Sequence, residues 1–250
     1  MNLGSLTKQD WQKVTIGASA TSGLIAFLLV YFLSYSYIAS VLFSVLAILY
    51  VAPILLILGS MTFKLNHLRT QAKAHHDSLI DMINIRPLVD GPPIDYGHWA
   101  MDSHLGKALA QTIVFEAPDL VVECGSGSST VLMGSVIRRM ESEGHIISLD
   151  DSSEYSEKTR TLLEAHGLQS YADVLHGPLK EYQIDGNLYQ WYGIDINRFE
   201  KNSIDLLVVD GPPAPHGEAT RYPAVFLLEP YLSDHCTIII DDGNRPNTQR

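Results

Sequence analysis

Carboxylates and glycines follow four short apolar runs in the second half of this 250-residue sequence. The runs end at Glu123-Cys124-Gly125-Ser126-Gly127-Ser128-Ser129, Asp150-Asp151, Asp210-Gly211-Pro212-Pro213 and Asp241-Asp242-Gly243. Carboxylates accept hydrogen bonds from hydroxyl groups and attract cations, and glycines let a backbone approach a ligand closely. A single carboxylate equally suits a helix cap, so the pattern has chemical meaning only if the runs are neighbouring strands of one sheet.

Alternating apolar runs and helical patterns predict such a sheet. The predicted strands are 120–124, 145–150, 171–175, 204–210 and 237–241. The predicted helices run from Asp102 or Ser103 to about 115, over 129–143 and 153–165, and from about Pro223 towards Pro230. Strands joined by helices favour right-handed crossovers, so we expect an α/β fold, a Rossmann-like, doubly wound and mostly parallel sheet. Ligands of such sheets bind beyond the carboxyl ends of the strands, where the acids lie.

The glycine loop differs from the dinucleotide-binding fingerprint. That fingerprint has a third glycine where this chain has Thr130, and an acidic crevice repels the pyrophosphate of a nicotinamide cofactor. An NAD-dependent oxidoreductase is therefore the less favoured alternative. Cys124 is interpreted as a small buried residue and not as a nucleophile.

The segment Val121-Val122-Glu123-Cys124-Gly125-Ser126-Gly127 resembles motif I of class I S-adenosylmethionine-dependent methyltransferases. The later Asp-Gly-Pro-Pro, Arg221-Tyr222-Pro223-Ala224 and Asp-Asp motifs resemble a bacterial O-methyltransferase-like subgroup, over about residues 99–245. The resemblance implies S-adenosylmethionine as cofactor, with Asp150 on the ribose hydroxyls and Glu123 orienting the loop or reaching the ammonium group. The full set implied for the cofactor is Glu123, Gly125, Ser126, Gly127, Ser128, Asp150, Asp151 and His176, the last on the adenine side.

Asp210 is the candidate for chemistry on the methyl acceptor, and His216 is a candidate general base or an ordinary loop histidine. Relatives such as catechol O-methyltransferase imply a Mg²⁺ site, for which Asp210 and Asp242 match two ligands. The third ligand of those relatives, an asparagine, is replaced here by Gly243, which weakens the case for a metal. Those enzymes also continue beyond the fifth strand, whereas this chain stops nine residues after Asp241, so the sequence is truncated or the sheet is incomplete.

A different segment precedes this domain. Residues 14–63 contain no Asp, Glu, Lys, Arg or His, and 36 of these 50 residues are hydrophobic. Fifty residues would form a helix of about 75 Å, against about 30 Å of membrane hydrocarbon, so two transmembrane helices are expected at about 15–33 and 38–58. A cleaved signal peptide has a shorter apolar core, which disfavours that alternative. The expected division is a membrane anchor at 1–63, a helical stalk at 64–90 and the methyltransferase-like domain at 91–250.

Lysine and arginine flank the apolar segment on both sides, at Lys8, Lys13, Lys64, Arg69 and Lys73. The positive-inside rule places such flanks in the cytoplasm, so both termini and the domain are expected there, at the inner membrane if the cell is bacterial. After residue 64 the chain has 14 basic and 27 acidic residues, which disfavours nucleic-acid binding. Its two cysteines form no disulfide framework.

Two functions follow from these observations. The first is a membrane-anchored methyltransferase that modifies an oxygen of a small, lipid-linked or saccharide acceptor. The alternative is a non-catalytic, methyltransferase-like adaptor that docks a partner at the membrane, and the short C-terminus favours it. The sequence leaves the acceptor and the oligomeric state open.

Overall fold

The computed structural model describes residues 8–33, 37–95, 101–213 and 220–241. The chain forms two compact units, Met1–Lys73 and Ala74–Arg250. Its first helices are α1, Lys8–Leu33, and α2, Tyr37–Ile85. The predicted spans and the predicted stalk helix lie within these two helices, and the second span and the stalk form one continuous helix. Pro53 lies inside α2.

Within the described ranges, one helix is long and apolar enough to cross a membrane. It is α2, whose most apolar window has a mean hydropathy of 2.9 and is not buried inside the protein. The apolar part of α1, Ser19–Tyr31, is shorter. One such helix is weak evidence for membrane association.

The second unit contains a sheet of five parallel strands. They are β1 Leu120–Cys124, β2 His145–Asp150, β3 Ala172–His176, β6 Ile204–Val209 and β7 Leu232–Ile240, in the order β3-β2-β1-β6-β7. Because the chain starts in the middle and builds outwards to each side, the sheet has a switch point between β1 and β6. This arrangement confirms the predicted Rossmann-like, doubly wound α/β fold.

Helices cover one face of this sheet. They are α3 Ser103–Glu116, α4 Ser128–Arg139 and α5 Ser153–Ala165, and their apolar residues share one core with Val121, Ile146 and Leu206 of the strands. Asp102 caps α3 as predicted, since its carboxylate accepts a hydrogen bond from the Leu105 amide at 2.7 Å.

The last turns of α2 belong to this second unit and pack against α3. Asp81 is buried, and its carboxylate contacts Lys107 at 2.9 Å and His104 at 3.0 Å. The Lys107 ammonium holds the pKa of Asp81 below its ordinary value, and His104 adds to this effect. Ser78 contributes a further hydrogen bond to Ser103, at 2.8 Å.

A β-hairpin covers the opposite face, and the sequence reading missed it. Strands β4 Leu179–Ile184 and β5 Asn187–Tyr192 pair antiparallel, and with α6 Tyr222–Leu228 they bury a second core around Trp191 and Tyr192. The two residues of the turn, Asp185 and Gly186, have φ of 50° and 81°. An Asp-Gly pair between short β-prone runs is a strong hairpin signal, and it was available in the sequence.

Candidate functional site

The acids that follow the strands lie along one edge of the sheet. Cys124, the last residue of β1, is in register with Leu149 of β2 and Val209 of β6, and Val209 is in register with Ile240 of β7. Asp150, Asp210 and Asp241 therefore lie at the carboxyl ends of β2, β6 and β7, along the same edge of the sheet. The predicted site residues His216 and Asp242 lie outside the described residues.

The glycine loop joins β1 to α4 at this edge. Gly125 and Gly127 have φ of 103° and 155°, a region that side-chain-bearing residues rarely adopt. The Gly127 amide donates a hydrogen bond to the Thr130 hydroxyl at 3.0 Å, and α4 begins at the next residue, Ser128. Thr130 stands where the dinucleotide fingerprint has its third glycine, and its hydroxyl has a structural use here.

Glu123 lies beneath this loop and has no exposed surface. Its carboxylate accepts hydrogen bonds from the Thr130 hydroxyl at 2.6 Å and the Ser148 hydroxyl at 2.5 Å. Burial raises the pKa of Glu123, and the hydroxyl hydrogen bonds only partly oppose that rise. Of the two roles implied for Glu123, the geometry favours orienting the loop over contacting a cofactor.

Asp150 lies at the end of β2 and is 7% exposed. The Ser126 hydroxyl donates to one carboxylate oxygen at 2.6 Å, and the Ser152 amide donates to the other at 3.0 Å. Burial raises the pKa of Asp150, while these two hydrogen bonds lower it. Ser152, and neither Asp150 nor Asp151, caps α5 through the Tyr155 amide, so the capping alternative for the two acids does not hold.

His176 ends β3 beside Asp150, its partner in the strand register. One ring nitrogen lies 3.2 Å from the Asp151 carbonyl oxygen. The structure thus brings His176 and Asp151 next to Asp150 at one end of the acidic edge. Cys124 is fully buried, and burial raises the pKa of its thiol, in keeping with a packing role.

Asp210 follows β6. Its main contact, with Arg221, was not predicted from the sequence. The Arg221 guanidinium lies 3.2 Å from a carboxylate oxygen of Asp210, and it also donates to the carbonyl oxygens of Asp210 and Asp241. Burial and the neighbouring Asp241 carboxyl raise the pKa of Asp210 to about 8, against the lowering effect of Arg221. Arg221 precedes α6, so it ties the start of that helix to the ends of β6 and β7.

The described residues do not fit a magnesium site. No group of three or more His, Cys, Asp or Glu side chains able to hold a metal is found among them. Asp210, the ligand implied by the resemblance, already contacts the cation of Arg221, whose charge opposes that of a metal ion at the same carboxylate.

The hairpin also reaches this edge. Tyr192 ends β5 and is buried, and its hydroxyl lies so close to Gly211 that a side chain at residue 211 would collide with it. Burial raises the pKa of Tyr192 well above its ordinary value, so the phenol stays protonated. Tyr192 therefore lies at this edge of the sheet. The sequence could have indicated this only through the Asp185-Gly186 turn, which predicts the hairpin that ends in Tyr192.

Residues 122–243 match the model of a family described as a methyltransferase domain. This match supports an S-adenosylmethionine-dependent methyltransferase, and the matched stretch begins in β1 and includes every acid of the edge. No curated protein is significantly similar in sequence to this chain.

Three solved structures similar to this chain are described as methyltransferases. A methyltransferase of Podospora anserina, solved with bound S-adenosylhomocysteine, is 18% identical, with 68% of this chain and 69% of the other covered and a TM-score of 0.44. One from Geobacter sulfurreducens is 14% identical, with 72% and 81% covered and a TM-score of 0.46. An O-methyltransferase of Bacillus cereus, in complex with S-adenosylhomocysteine, is 18% identical, with 69% and 74% covered and a TM-score of 0.42.

Replacing Glu123 by Gln tests the buried carboxyl beneath the loop. In the folded wild type, the Glu123 carboxyl keeps its proton above pH 4.5. In the unfolded chain its pKa has the ordinary value of 4.5, so the proton is released there. The free energy of unfolding of the wild type therefore falls as pH rises from that value towards the raised pKa, by at most about 1.4 kcal/mol per pH unit. Glu123→Gln cannot ionise and lacks this contribution, so its stability relative to wild type rises with pH.

Urea unfolding of the full chain in detergent between pH 4.5 and 8 measures this difference. Glu164→Gln, an exposed change on α5, is the matched control and should keep the pH dependence of the wild type. A stability difference between wild type and Glu123→Gln that does not change with pH would contradict the raised pKa.

Proposed function

We propose that this protein is a membrane-anchored, S-adenosylmethionine-dependent methyltransferase that modifies an oxygen atom of a small, lipid-linked or saccharide acceptor. The observation that carries the proposal is Asp150, an acid that ends β2 and contacts the glycine loop through Ser126, inside the stretch that matches a methyltransferase domain. The bound cofactor would supply an activated methyl group on a sulfonium centre with a good leaving group.

The residues of the chain would position this group and the acceptor. The backbone of Gly125–Gly127 can approach the methionine part of the cofactor, and Asp150 can accept hydrogen bonds from the ribose diol. Asp151 and His176 lie next to Asp150, on the side where the adenine would bind. The acids along the edge favour a cationic ligand by simple Coulomb attraction.

Asp150→Ala should weaken binding of S-adenosylhomocysteine by roughly 10- to 100-fold, because one or two hydrogen bonds to a charged acceptor are lost. Isothermal titration calorimetry on the full chain in detergent measures this. Asp173→Ala, an exposed acid on β3, is the control and should bind like wild type. The absence of any heat with folded wild-type protein would reject the proposed cofactor.

Asp210 is the residue proposed to take the proton of the acceptor hydroxyl. Its carboxyl lies at the carboxyl end of β6, on the central strand pair, and its pKa of about 8 suits a base that works near neutral pH. Arg221 fixes the orientation of that carboxyl. His216 is the second candidate for this base, and its place in the structure is outside the described residues.

Asp210→Asn should lower the rate of methyl transfer by about 100- to 10,000-fold, the usual contribution of a general base, and leave the affinity for S-adenosylhomocysteine within a few-fold of wild type. Incorporation of radiolabelled methyl groups into a membrane lipid extract and a panel of phenols and sugars measures this. Asp234→Asn, exposed on β7, is the control.

The transfer assay and calorimetry together separate the three candidate functions. Full activity of Asp210→Asn would show that another group is the base, and His216→Ala would then be the variant to measure. Binding of S-adenosylhomocysteine without transfer to any acceptor would favour the adaptor. Binding of NADH in place of S-adenosylhomocysteine would favour the oxidoreductase.

The proposed anchor consists of two spans within α1 and α2, with both flanks in the cytoplasm. In α2, large apolar side chains such as Leu56 and Leu49 are more than half exposed, and in α1 Phe27 is exposed as well. Apolar surface of this extent is unfavourable in water and suits the hydrocarbon of a membrane. Anchoring would also concentrate the enzyme near a lipid-linked acceptor.

Cysteines introduced one at a time as Gln9→Cys and Gln71→Cys, in a chain that also carries Cys124→Ala and Cys236→Ala, test this topology. In spheroplasts of a bacterial host, an impermeant maleimide should label both positions only after the membrane is permeabilised, because a two-span anchor keeps both flanks inside. Labelling of one position in intact spheroplasts would indicate a single span. Release of the protein by alkaline carbonate would contradict integration into the membrane.

A further inference from the structure

Thr159, on the buried side of α5, is linked to the glycine loop by a side-chain contact that the sequence reading did not anticipate. Its hydroxyl oxygen lies 3.0 Å from the hydroxyl oxygen of Ser126, and Thr159 is 2% exposed. The neighbouring Thr161 donates its proton to the Glu157 carbonyl of the same helix, as is usual for a threonine in a helix. The Thr159 hydroxyl instead contacts Ser126 of the glycine loop.

The direction of the contact follows from counting protons. A hydroxyl has one proton to donate, and that of Ser126 goes to the Asp150 carboxylate at 2.6 Å. Ser126 can then only accept from Thr159. The three side chains form a relay in which Thr159 donates to Ser126 and Ser126 donates to Asp150.

The carboxylate of Asp150 is held by more contacts than the relay alone. An ionised carboxylate offers about four lone-pair sites. Ser126 takes one on the first oxygen, and the Ser152 amide takes one on the second. The Ser126 backbone also hydrogen-bonds to this carboxylate, so the glycine loop and Ser152 together fix its orientation towards a ligand hydroxyl.

We propose that Thr159 is a positioning residue which, through Ser126, sets the orientation of Asp150 for a ligand with a ribose diol. This inference rests on the proposed function, because it concerns the same cofactor site. Without the Thr159 hydroxyl, the Ser126 hydroxyl loses its donor and can rotate away from Asp150. The site would then discriminate less sharply between ribose and deoxyribose.

Thr159→Val tests the relay, since valine keeps the shape of threonine and removes only the hydroxyl. It should weaken binding of S-adenosylhomocysteine by about 2- to 12-fold, the effect of one hydrogen bond. Binding of the 2′-deoxyribose analogue of S-adenosylhomocysteine should change less, because that ligand lacks one of the hydroxyls that Asp150 holds. Calorimetry of the full chain in detergent measures both ligands.

Three further variants make the test specific. Thr161→Val removes a hydroxyl from the same helix and should leave both affinities unchanged. Ser126→Ala should repeat the effect of Thr159→Val by breaking the relay at its middle. In an Asp150→Asn background, Thr159→Val should have little further effect, because the group on which it acts is already altered.

Distinct outcomes would overturn the inference. Equal weakening for both ligands, or for Thr159→Val and Thr161→Val alike, would reduce Thr159 to a packing residue. Unchanged affinity in Thr159→Val, with a wild-type melting curve, would show that the relay does not act on Asp150. Failure of the wild type to bind S-adenosylhomocysteine would reject the proposed function itself, and with it the inference.

Discussion

The parallel alignment of five strands is the constraint on which the site depends. In a parallel sheet the carboxyl ends of all strands lie at the same edge, so residues that follow distant runs of sequence become neighbours. Here Leu149, Cys124, Val209 and Ile240 stand side by side in register. The acids after them meet only because no strand is reversed, and an antiparallel β6 would have moved Asp210 to the opposite edge.

Hydroxyl groups hold the carboxylates of two acids at this edge through hydrogen bonds. Glu123 and Asp150 end consecutive strands, yet the first is fully buried and the second keeps some exposed surface. Each carboxylate is held by serine or threonine side chains, from Thr130 and Ser148 for Glu123 and from Ser126 for Asp150. Two similar residues thus have different surroundings: Glu123 supports the loop, and Asp150 is the one proposed to face a ligand.

The other end of the edge is organised by a cation. Arg221 connects the carboxyl ends of β6 and β7 and lies beside the carboxylate of Asp210. This contact disfavours a metal at Asp210 and keeps the carboxyl in one orientation. Burial and Asp241 raise the pKa of Asp210 in spite of Arg221, in keeping with its proposed use as a base.

Local sequence signals are enough to predict most of the helices and strands, but not the hairpin that covers the second face of the sheet. Short apolar runs, glycines and helix caps such as Asp102 are local signals. They predicted the bounds of β1, β2, β6 and α3 closely, and the alternation of strands with helices implied a parallel sheet. The glycine loop and Asp150 were proposed as cofactor contacts because their motifs resemble those of class I methyltransferases. The hairpin was missed even though Asp185-Gly186 is a local signal, because its short, mixed strands lack a clear period.

Only the tertiary structure decided which side chains meet. The contacts of Glu123 with Ser148, of Ser126 with Thr159 and of Asp210 with Arg221 each join residues that are between 11 and 33 positions apart. No pattern along the chain predicts such pairs, because they depend on the packing of α4, α5 and α6 onto the strands. Burial, which raises the pKa values of these acids, is likewise a property of the folded molecule and not of the residue type.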